Sequence, residues 1–283
     1  QFRQEFECEF IGSTNTLIAA SKLRSLAFHT PKEQHGNLDV YEEPQKDHTY
    51  TITVDTSRGL NIDYSAFSVI DVTQLPYKLV AKFRDNQVSP LVYPSTIANV
   101  GKTYNYAFVL VEVNDIGQQV ADILHHELEY ENILTTMVKG RAGQQISGGY
   151  SRGVQFGVKT TKQVKGIGCA TLKTLIEQDQ LLLEDFHTIA ELAGFVQKGT
   201  SYEAEAGQHD DLVMTLVLFA WLTNQSYFKD ITDVNIREKI YKLQQEMMEE
   251  NVLPFGVIDD GREETFVDNT GQVWTTQDTG ESD

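Results

Sequence analysis

Residues 49–59, TYTITVDTSRG, alternate threonine with tyrosine, isoleucine and valine up to Asp55, and then change to serine, arginine and glycine. Runs of β-branched and aromatic residues followed by turn formers are typical of a strand and its end. Two further runs of this kind follow at short spacing, YSAFSVIDV at 64–72 and YKLVAKF at 77–83. The spacing predicts three consecutive antiparallel strands, a meander, with Asp55 at the end of the first.

After the meander, the pattern changes to alternating helices and strands. PLVYPSTIANVG (90–101) predicts a helix, and the apolar run YAFVLVEV (106–113) predicts a central strand buried on both faces. NDIGQQVADILHHEL (114–128) predicts a helix with Asp115 as its N-cap, and ENILTTM (131–137) predicts another strand. We therefore predict an α/β fold, a mixed sheet flanked by helices. Further helices are predicted at 162–179, 184–193, 209–224 and 233–250.

The two ends of the chain differ from this domain in character. Residues 1–48 are interpreted as a linker and the end of a preceding domain, with a strand in FECEFIG, a short helix in SKLRSLAF, and a polar, proline-containing linker at 29–47. Because the chain starts at Gln1, we expect it to be a fragment of a longer protein. Residues 251–283 are predicted to be an acidic, fraying tail, which leaves 49–250 as the main domain.

Composition excludes several classes of protein. The chain has 283 residues, of which 40% are hydrophobic and 23% charged, as is typical of a folded globular protein. It has no run of 18 apolar residues, so no membrane-spanning segment is predicted, and its start lacks the pattern of a secretory signal. Its two cysteines, Cys8 and Cys169, exclude the common cysteine-rich zinc sites. The net charge of −18 alone argues against a nucleic-acid binder.

Acidic residues stand at three positions where a charge is costly. Asp55 ends an apolar strand, Glu112 lies near the end of another, and Asp210 and Asp211 open the apolar helix at 209–224. Taken singly, each has a simple structural explanation as a rim residue or a helix cap. Strand ends and helix starts of an α/β sheet commonly meet in one cleft, however, and converging carboxylates then need a cation.

Oxygen ligands favour a hard ion, so we predict Mg²⁺, with Mn²⁺ as a substitute. Two such ions about 4 Å apart can act on both the attacking and the leaving oxygen of a phosphodiester. Asp63, at the start of the second strand, is expected to join the cluster. His209, beside Asp210, either adjusts the site or caps the helix.

Three segments resemble the nuclease motifs of the large terminase subunit of tailed bacteriophages, in its T-even-like form. They are VDTSRGLNIDYSAFSVIDV, FVLVEVND and YEAEAGQHDDLVMTLVLFAW, and FECEFIGSTNTLI resembles the segment that leaves the ATPase domain in those proteins. The resemblance covers most of residues 1–230 and implies a ribonuclease H-like fold. It also implies metal carboxylates at Asp55, Glu112 and one of Asp210 and Asp211. In one departure, similar proteins carry an acid near the position of Arg58, which leaves the role of the 57–60 loop open.

The activity implied by the resemblance is metal-dependent endonucleolytic cutting of concatemeric double-stranded viral DNA, when packaging begins and again when the capsid is full. The implied partners are double-stranded DNA, the ATPase domain of the same protein, the capsid portal and the small terminase subunit, with no membrane. The implied location is the cytoplasm of the infected bacterial host and, transiently, the procapsid portal.

A basic block interrupts the acidic chain. Residues 139–173 contain seven basic residues and no acidic one, whereas residues 246–283 contain eleven acidic residues and a single arginine. Glycines and aromatic residues are interleaved with the basic ones, and YSRGVQFGV (150–158) is interpreted as a glycine-rich hairpin. With a nuclease in view, we predict that the block contacts the DNA backbone. The proposed DNA contacts are Lys139, Arg141, Arg152, Lys159, Lys162 and Lys165.

Two other functions are compatible with these sequence features. A RuvC-type junction resolvase or related integrase would share the carboxylates and the metals, but it would prefer branched DNA to linear duplex. A non-catalytic portal-docking module would use the acidic surface to bind its partner. Substitution of the carboxylates separates the second alternative from a nuclease, because it would abolish cutting and leave portal binding intact.

Overall fold

The computed structural model describes residues 15–59, 63–138, 143–147, 154–232, 265–267 and 270–275. The chain divides into two compact units, Gln1–Arg237 and Glu238–Asp283. In the described ranges, no helix combines the length and the apolar character needed to cross a bilayer.

The described strands are numbered in chain order. They are β1 (Glu33–His35), β2 (Leu38–Val40), β3 (Tyr50–Asp55), β4 (Ser65–Asp71), β5 (Tyr77–Asp85), β6 (Phe108–Val111), β7 (Thr135–Val138), β8 (Gln144–Ser147), β9 (Gln155–Phe156), β10 (Leu181–Leu182), β11 (Phe195–Lys198), β12 (Ser201–Ala204), β13 (Thr265–Val267) and β14 (Val273–Thr275).

The described α-helices are numbered in the same way, and one π-helical turn, Ile123–Glu127, continues the third of them. They are α1 (Ala20–Ser25), α2 (Tyr93–Thr103), α3 (Gly117–Asp122), α4 (Lys162–Glu177), α5 (Phe186–Ala193), α6 (Asp211–Thr223) and α7 (Ser226–Thr232).

The main sheet has the order β1-β2-β5-β4-β3-β6, with the short β10 paired to β5. The predicted meander is confirmed, because β3, β4 and β5 are antiparallel neighbours. Strand β6 runs parallel to β3, and β10 runs parallel to β5, so the sheet is mixed as predicted. The parallel pairing of β3 and β6 brings the carboxyl ends of two separate strands to the same edge of the sheet.

Strand β3 is buried on both faces, which explains its content of β-branched residues. Ile52 and Val54 belong to one core cluster together with Tyr93 and Ile97 of α2. On the other face, α6 packs against β3 and β4, and the hydroxyl groups of Ser68 and Thr215 hydrogen-bond at 2.6 Å. Of the residues of α6, all from Asp211 to Leu222 are buried, as the apolar sequence of this helix predicts.

Several sequence interpretations are wrong in detail. The linker predicted at 29–47 instead contains β1 and β2, and β2 joins the main sheet beside β5. Strand β6 is buried but lies last in the order of the main sheet; its outer edge hydrogen-bonds to backbone at 132–134 and 158. The strand predicted at 131–137 is found at β7, in a separate three-stranded sheet with the order β8-β7-β9.

Asp115 is not the N-cap of the helix predicted at 114–128. The N-cap is Ile116, and Asp115 has a positive φ of 48° that places it in the left-handed region, where its side chain pairs with Arg58. Of the segment interpreted as a hairpin at 150–158, the described part forms β9 against β7. In the second unit, β13 and β14 form an antiparallel pair where a fraying tail was predicted. The strand in FECEFIG and the helix at 233–250 lie outside the described residues.

Candidate active site

Asp55 and Glu112 lie side by side at the carboxyl ends of β3 and β6. Val54 pairs with Val111 across the parallel strands, and the Glu112 amide donates to the Val54 carbonyl at 2.9 Å. Burial raises the pKa of Asp55 well above its ordinary value, and the neighbouring Glu112 carboxyl, by charge and by hydrogen bonding, raises it further, as does the charge of Asp211. Two carboxylates this close cannot both carry a full charge without a compensating cation.

The position of Glu112 depends on the turn that follows β6. The Asn114 side-chain amide donates to Glu112 Oε1 at 2.8 Å and holds that carboxylate in place. Gly117 opens α3 directly against this turn. A Cβ at position 117 would overlap the Glu112 carbonyl oxygen and lie 2.9 Å from the Thr56 hydroxyl oxygen. Only glycine allows α3 to begin this close to the two strand ends.

Asp211 joins this pair from the first turn of α6 and is 9% exposed. Its Oδ1 accepts the Tyr64 backbone amide at 3.3 Å. Its Oδ2 lies 3.6 Å from His209 Nδ1 and 3.9 Å from the Arg84 guanidinium, with no hydrogen-bond partner. Burial raises the pKa of Asp211 to about 6, while Arg84 and His209 act in the opposite direction. Asp211 therefore presents one buried oxygen that no protein donor occupies.

Asp210 occupies the N-cap position of α6, but its side chain forms no capping hydrogen bond. Its Oδ2 instead accepts the Ala204 amide at 3.3 Å. Geometry thus separates the two adjacent aspartates, which sequence alone left equivalent. Asp211 is buried next to Asp55, and Asp210 is turned toward the β12 strand at the margin of the cleft.

A cleft of about 350 Å³ opens over these groups. Asp63 is exposed and lies in the wall of this cleft. Glu112 lies next to Asp55 but not in the lining itself. Arg58 lines the cleft in a bidentate ion pair with Asp115, with N···O distances of 2.7 and 2.6 Å. The lining consists of Asp55, Thr56, Ser57, Arg58, Asp63, Tyr64, Asp115, Asp210 and Asp211.

Sequence reasoning missed four residues of this region: Tyr64, Arg84, Asp115 and Glu191. Asp115 was interpreted as a cap because an aspartate before a helical pattern usually is one. Arg84 lies in β5 and Glu191 in α5, and neither segment carries a local pattern that relates it to the cleft. Glu191 is 8% exposed, and burial raises its pKa to about 7, with Arg84 opposing and Asp211 adding to the shift. The burial of Glu191 beside Arg84 and Asp211 could be found only from the three-dimensional packing.

The chemistry of the donors fits a hard divalent cation. In the residues the structure describes, no three His, Cys, Asp or Glu side chains form a ready-made metal cluster. The carboxyl groups of Glu112 and Asp211 nevertheless raise the pKa of Asp55, and Asp211 Oδ2 accepts no hydrogen bond, although Arg84 and His209 lie 3.9 and 3.6 Å from it. A cation between the carboxylates would relieve their repulsion, and oxygen-only donors suit Mg²⁺ or Mn²⁺.

Part of the basic block lies close to Glu112. The Asn114 amide that holds Glu112 also lies 3.4 Å from the Thr160 carbonyl oxygen. Thr160 begins a groove of about 540 Å³ that runs along α4 and carries Lys162, Lys165 and Lys173 in its lining. Lys159 is exposed just before it. The remaining predicted contacts, Lys139, Arg141 and Arg152, lie outside the described residues.

A mixed sheet with the antiparallel meander β3–β5, helices on both faces and acids at the ends of β3 and β6 is the arrangement of a ribonuclease H-like domain. The chain belongs to the terminase RNase H-like domain family, whose model matches residues 52–234.

Solved structures agree with this fold. The large terminase nuclease of thermophilic phage G20c with bound magnesium is 24% identical, with a TM-score of 0.56 over 74% of this chain and 97% of that chain. The same nuclease with bound cobalt has a TM-score of 0.55 at the same identity and coverage. The nuclease domain of the Thermus phage P74-26 large terminase is 24% identical, with a TM-score of 0.50 over 74% of this chain and 95% of that chain. At these identities the likeness establishes the fold.

Proposed function

We propose that this chain is the nuclease domain of a large terminase subunit, and that it cuts concatemeric double-stranded viral DNA at the start and the end of genome packaging. The observation that carries the proposal is the contact between the carboxyl groups of Asp55 and Glu112 at adjacent strand ends, with Asp211 in the lining of the same cleft as Asp55. Membership of a terminase family supplies the biological context. The same context favours a terminase packaging enzyme over a junction resolvase or integrase.

The metal proposed for the site is Mg²⁺, with Mn²⁺ as a substitute, in a two-ion arrangement. The donor set consists of carboxylates, which hard cations prefer. Support comes from the G20c nuclease, whose structures carry bound magnesium and bound cobalt. Asp55, Glu112 and Asp211 are the proposed ligands, and Asp210 and Asp63 are proposed to assist from the margin of the cleft.

In this proposal, the residues of the chain position the reacting groups. Asp55 and Glu112 hold their carboxylates on two adjacent strand ends, and Asn114 fixes the orientation of Glu112. The Tyr64 amide fixes one oxygen of Asp211, and the other oxygen accepts no hydrogen bond. Divalent cations held there would supply the Lewis acidity that activates a water and stabilises the charge developing on the phosphodiester. No covalent enzyme intermediate is required.

The DNA backbone is proposed to run from the cleft along the groove beside α4. Lys162 and Lys165 line that groove, and the Asn114–Thr160 contact connects its beginning to Glu112. Lys159, Lys139, Arg141 and Arg152 are proposed to extend the contact. Backbone contacts of this kind bind without reading base sequence. The further proposed partners are the ATPase domain, the portal and the small terminase subunit, in the host cytoplasm and on the procapsid.

The proposal is tested by cleavage of plasmid, linear duplex and branched junction DNA in Mg²⁺ or Mn²⁺. We expect the wild type to cut linear and circular duplex. Asp55→Asn or Glu112→Gln should lower cutting by about 100-fold or more, since even the residues that support a metal ligand commonly contribute 10–100-fold. Asp179→Asn, which changes an exposed acid outside the cleft, is the matched control. Undiminished cutting by either cleft variant would refute the nuclease assignment, and preference for junctions would favour a resolvase.

A further inference from the structure

Arg84 lies between two buried carboxylates that belong to different helices. Its Nη2 is 3.1 Å from Glu191 Oε1, in α5, and 3.9 Å from Asp211 Oδ2, in α6. The side chains of Glu191 and Asp211 are only 7% and 12% exposed. Two carboxylates in such a place repel each other, and a single guanidinium that faces both offsets the repulsion.

Glu191 also holds the start of the helix that carries Asp211. Its Oε2 accepts the backbone amides of Leu212 and Val213 at 2.8 and 3.2 Å. These are two of the amides at the N-terminus of α6 that have no partner within the helix. One carboxylate therefore contacts Arg84 through one oxygen and caps α6 through the other, which fixes Asp211 relative to β5.

The Arg84 side chain is itself held by its surroundings. Its guanidinium carbon lies 3.8 Å from the centroid of the Tyr64 ring, and the backbone amide of Tyr64 donates to Asp211 Oδ1. The Tyr64 ring also contacts the His209 ring, whose centroid lies 5.0 Å away in an edge-on arrangement, and His209 Nδ1 lies 3.6 Å from Asp211 Oδ2. Tyr64 thus contacts both Arg84, through its ring, and Asp211, through its backbone amide.

We infer that Arg84 and Glu191 are positioning residues that fix the Asp211 carboxylate for a divalent cation, an inference that rests on the proposed function. Arg84 is not itself part of the cleft lining but contacts two residues that are, Tyr64 and Asp211, so its effect on a bound cation passes through Asp211. Without the Arg84 guanidinium, the carboxylates of Glu191 and Asp211 have no positive charge between them. Asp211 then loses one of the contacts that set its orientation. Residues that orient a metal ligand in this way commonly contribute 10–100-fold to metal affinity.

A second buried ion pair offers a control on the same two elements. Lys82, two residues before Arg84 on β5, contacts Asp185 at 3.1 Å and Asp39 at 3.3 Å. Asp185 is the N-cap of α5, the helix that carries Glu191. Lys82→Gln therefore weakens the attachment of α5 to β5 without removing a contact of Asp211. Comparison of Lys82→Gln with Arg84→Gln therefore distinguishes a lower stability of the protein from a changed position of the Asp211 carboxylate.

The experiment measures Mn²⁺ binding by calorimetry, with thermal unfolding of each protein as a check that it is folded at the titration temperature. We expect Arg84→Gln to weaken Mn²⁺ binding by about 10-fold or more, and Arg84→Lys to recover part of the loss. Glu191→Gln, which keeps an oxygen for capping α6 but loses the charge, is expected to weaken binding as well. Lys82→Gln should lower the unfolding temperature and leave Mn²⁺ affinity within about twofold of the wild type.

Unchanged Mn²⁺ affinity in folded Arg84→Gln would overturn the inference. Equal weakening by Arg84→Gln and Lys82→Gln would also overturn it, because it would show a general loosening of α5. A wild type that binds no Mn²⁺ would instead contradict the proposed metal site itself, which distinguishes the failure of the proposed function from the failure of this inference.

Discussion

At the residue scale, adjacent acids in this protein have different roles that follow from their burial. Asp211 lies beneath the cleft, near Asp55, with an oxygen that no protein donor occupies, whereas Asp210 accepts a backbone amide from β12. Sequence predicted that one of the two belongs to the site but could not choose, because both precede the same apolar run. The choice depends on which side of the first turn of α6 faces β3, and that is a matter of tertiary packing.

The raised pKa of Asp211 predicts that the difference in stability between the wild type and Asp211→Asn changes with pH. Its pKa of about 6 in the folded state exceeds the ordinary carboxyl value near 4, because burial disfavours the charged form. Between these values the folded state binds the proton more tightly, so the free energy of unfolding falls as the pH rises, and the loss is complete above about pH 6. In EDTA, Asp211→Asn should therefore gain about 2 kcal/mol relative to the wild type between pH 4 and pH 7.5.

Urea unfolding of both proteins at the two pH values provides the measurement. Asp179→Asn, in which an exposed acid is replaced, serves as the control for changes unrelated to the cleft. Mn²⁺ added at pH 7.5 should reverse the advantage of Asp211→Asn, because the cation stabilises only the charged ligand set. An equal stability difference at pH 4 and at pH 7.5 would contradict the account of Asp211.

At the element scale, the start of α3 determines where Glu112 lies. Gly117→Ala would place a methyl group into the Glu112 carbonyl oxygen, so β6 and α3 must move apart. We expect a loss of about 1–3 kcal/mol in the free energy of unfolding and reduced DNA cutting. Gly166→Ala is the matched control, since position 166 lies within α4 and has open space around it.

Alanine at position 166 should stabilise the protein by up to about 1 kcal/mol, because glycine is the poorer helix former. The two variants make the same chemical change in two helices and are predicted to shift stability in opposite directions. Urea unfolding measures both shifts. A stabilised Gly117→Ala with full cutting activity would show that the close approach at position 117 is not required.

The sequence predicted the elements that have a strong local pattern. The meander, α4, α5 and the buried α6 were all found, because β-branched runs and helical periodicity are local properties. The strands β1 and β2 were missed because each is only three residues long, and they join the sheet through the pairing of β1 with β2 and of β2 with β5. The position of β6 at the end of the sheet order could not be derived from its apolar sequence, since coverage by residues 132–134 buries it as a neighbouring strand would.

At the scale of the whole molecule, the distribution of charge is more informative than the net charge. A net charge of −18 argues against DNA binding when taken as an average, yet Lys162 and Lys165 line one groove, and Thr160 of that groove contacts Asn114, the residue that holds Glu112. DNA contact by the basic block stays a prediction for all six of its proposed residues, and three of them, Lys139, Arg141 and Arg152, lie outside the described residues. Local cations matter more than the total charge, because interactions between exposed charges are screened beyond about 8–10 Å.

The groove predicts the salt dependence of DNA binding. Each phosphate contact releases counterions and contributes about 0.9 to the slope of log affinity against log salt. Lys162→Ala combined with Lys165→Ala should therefore weaken binding to all duplex sequences and reduce the slope by about 1.8. The measurement is duplex affinity at several salt concentrations, in Ca²⁺ or EDTA to prevent cutting.

The control for that measurement is Lys22→Ala combined with Lys78→Ala. It makes the same change in net charge at two lysines that pair with Asp179 and Glu42, outside the groove. We expect the control to retain the slope of the wild type. Equal slopes for the groove variant and the wild type would show that DNA is bound by another surface.

The most direct test of the central claim is the anomalous density of crystals soaked in Mn²⁺. The account predicts a peak bounded by the carboxylates of Asp55, Glu112 and Asp211, with a second peak in the same cleft toward Asp210 or Asp63. Crystals of Asp55→Asn soaked in the same way should lose the first peak. The absence of anomalous density between these carboxylates in the wild type would contradict the assignment of this cleft as the site of a metal-dependent nuclease. A metal bound only at some other part of the protein would contradict it as well.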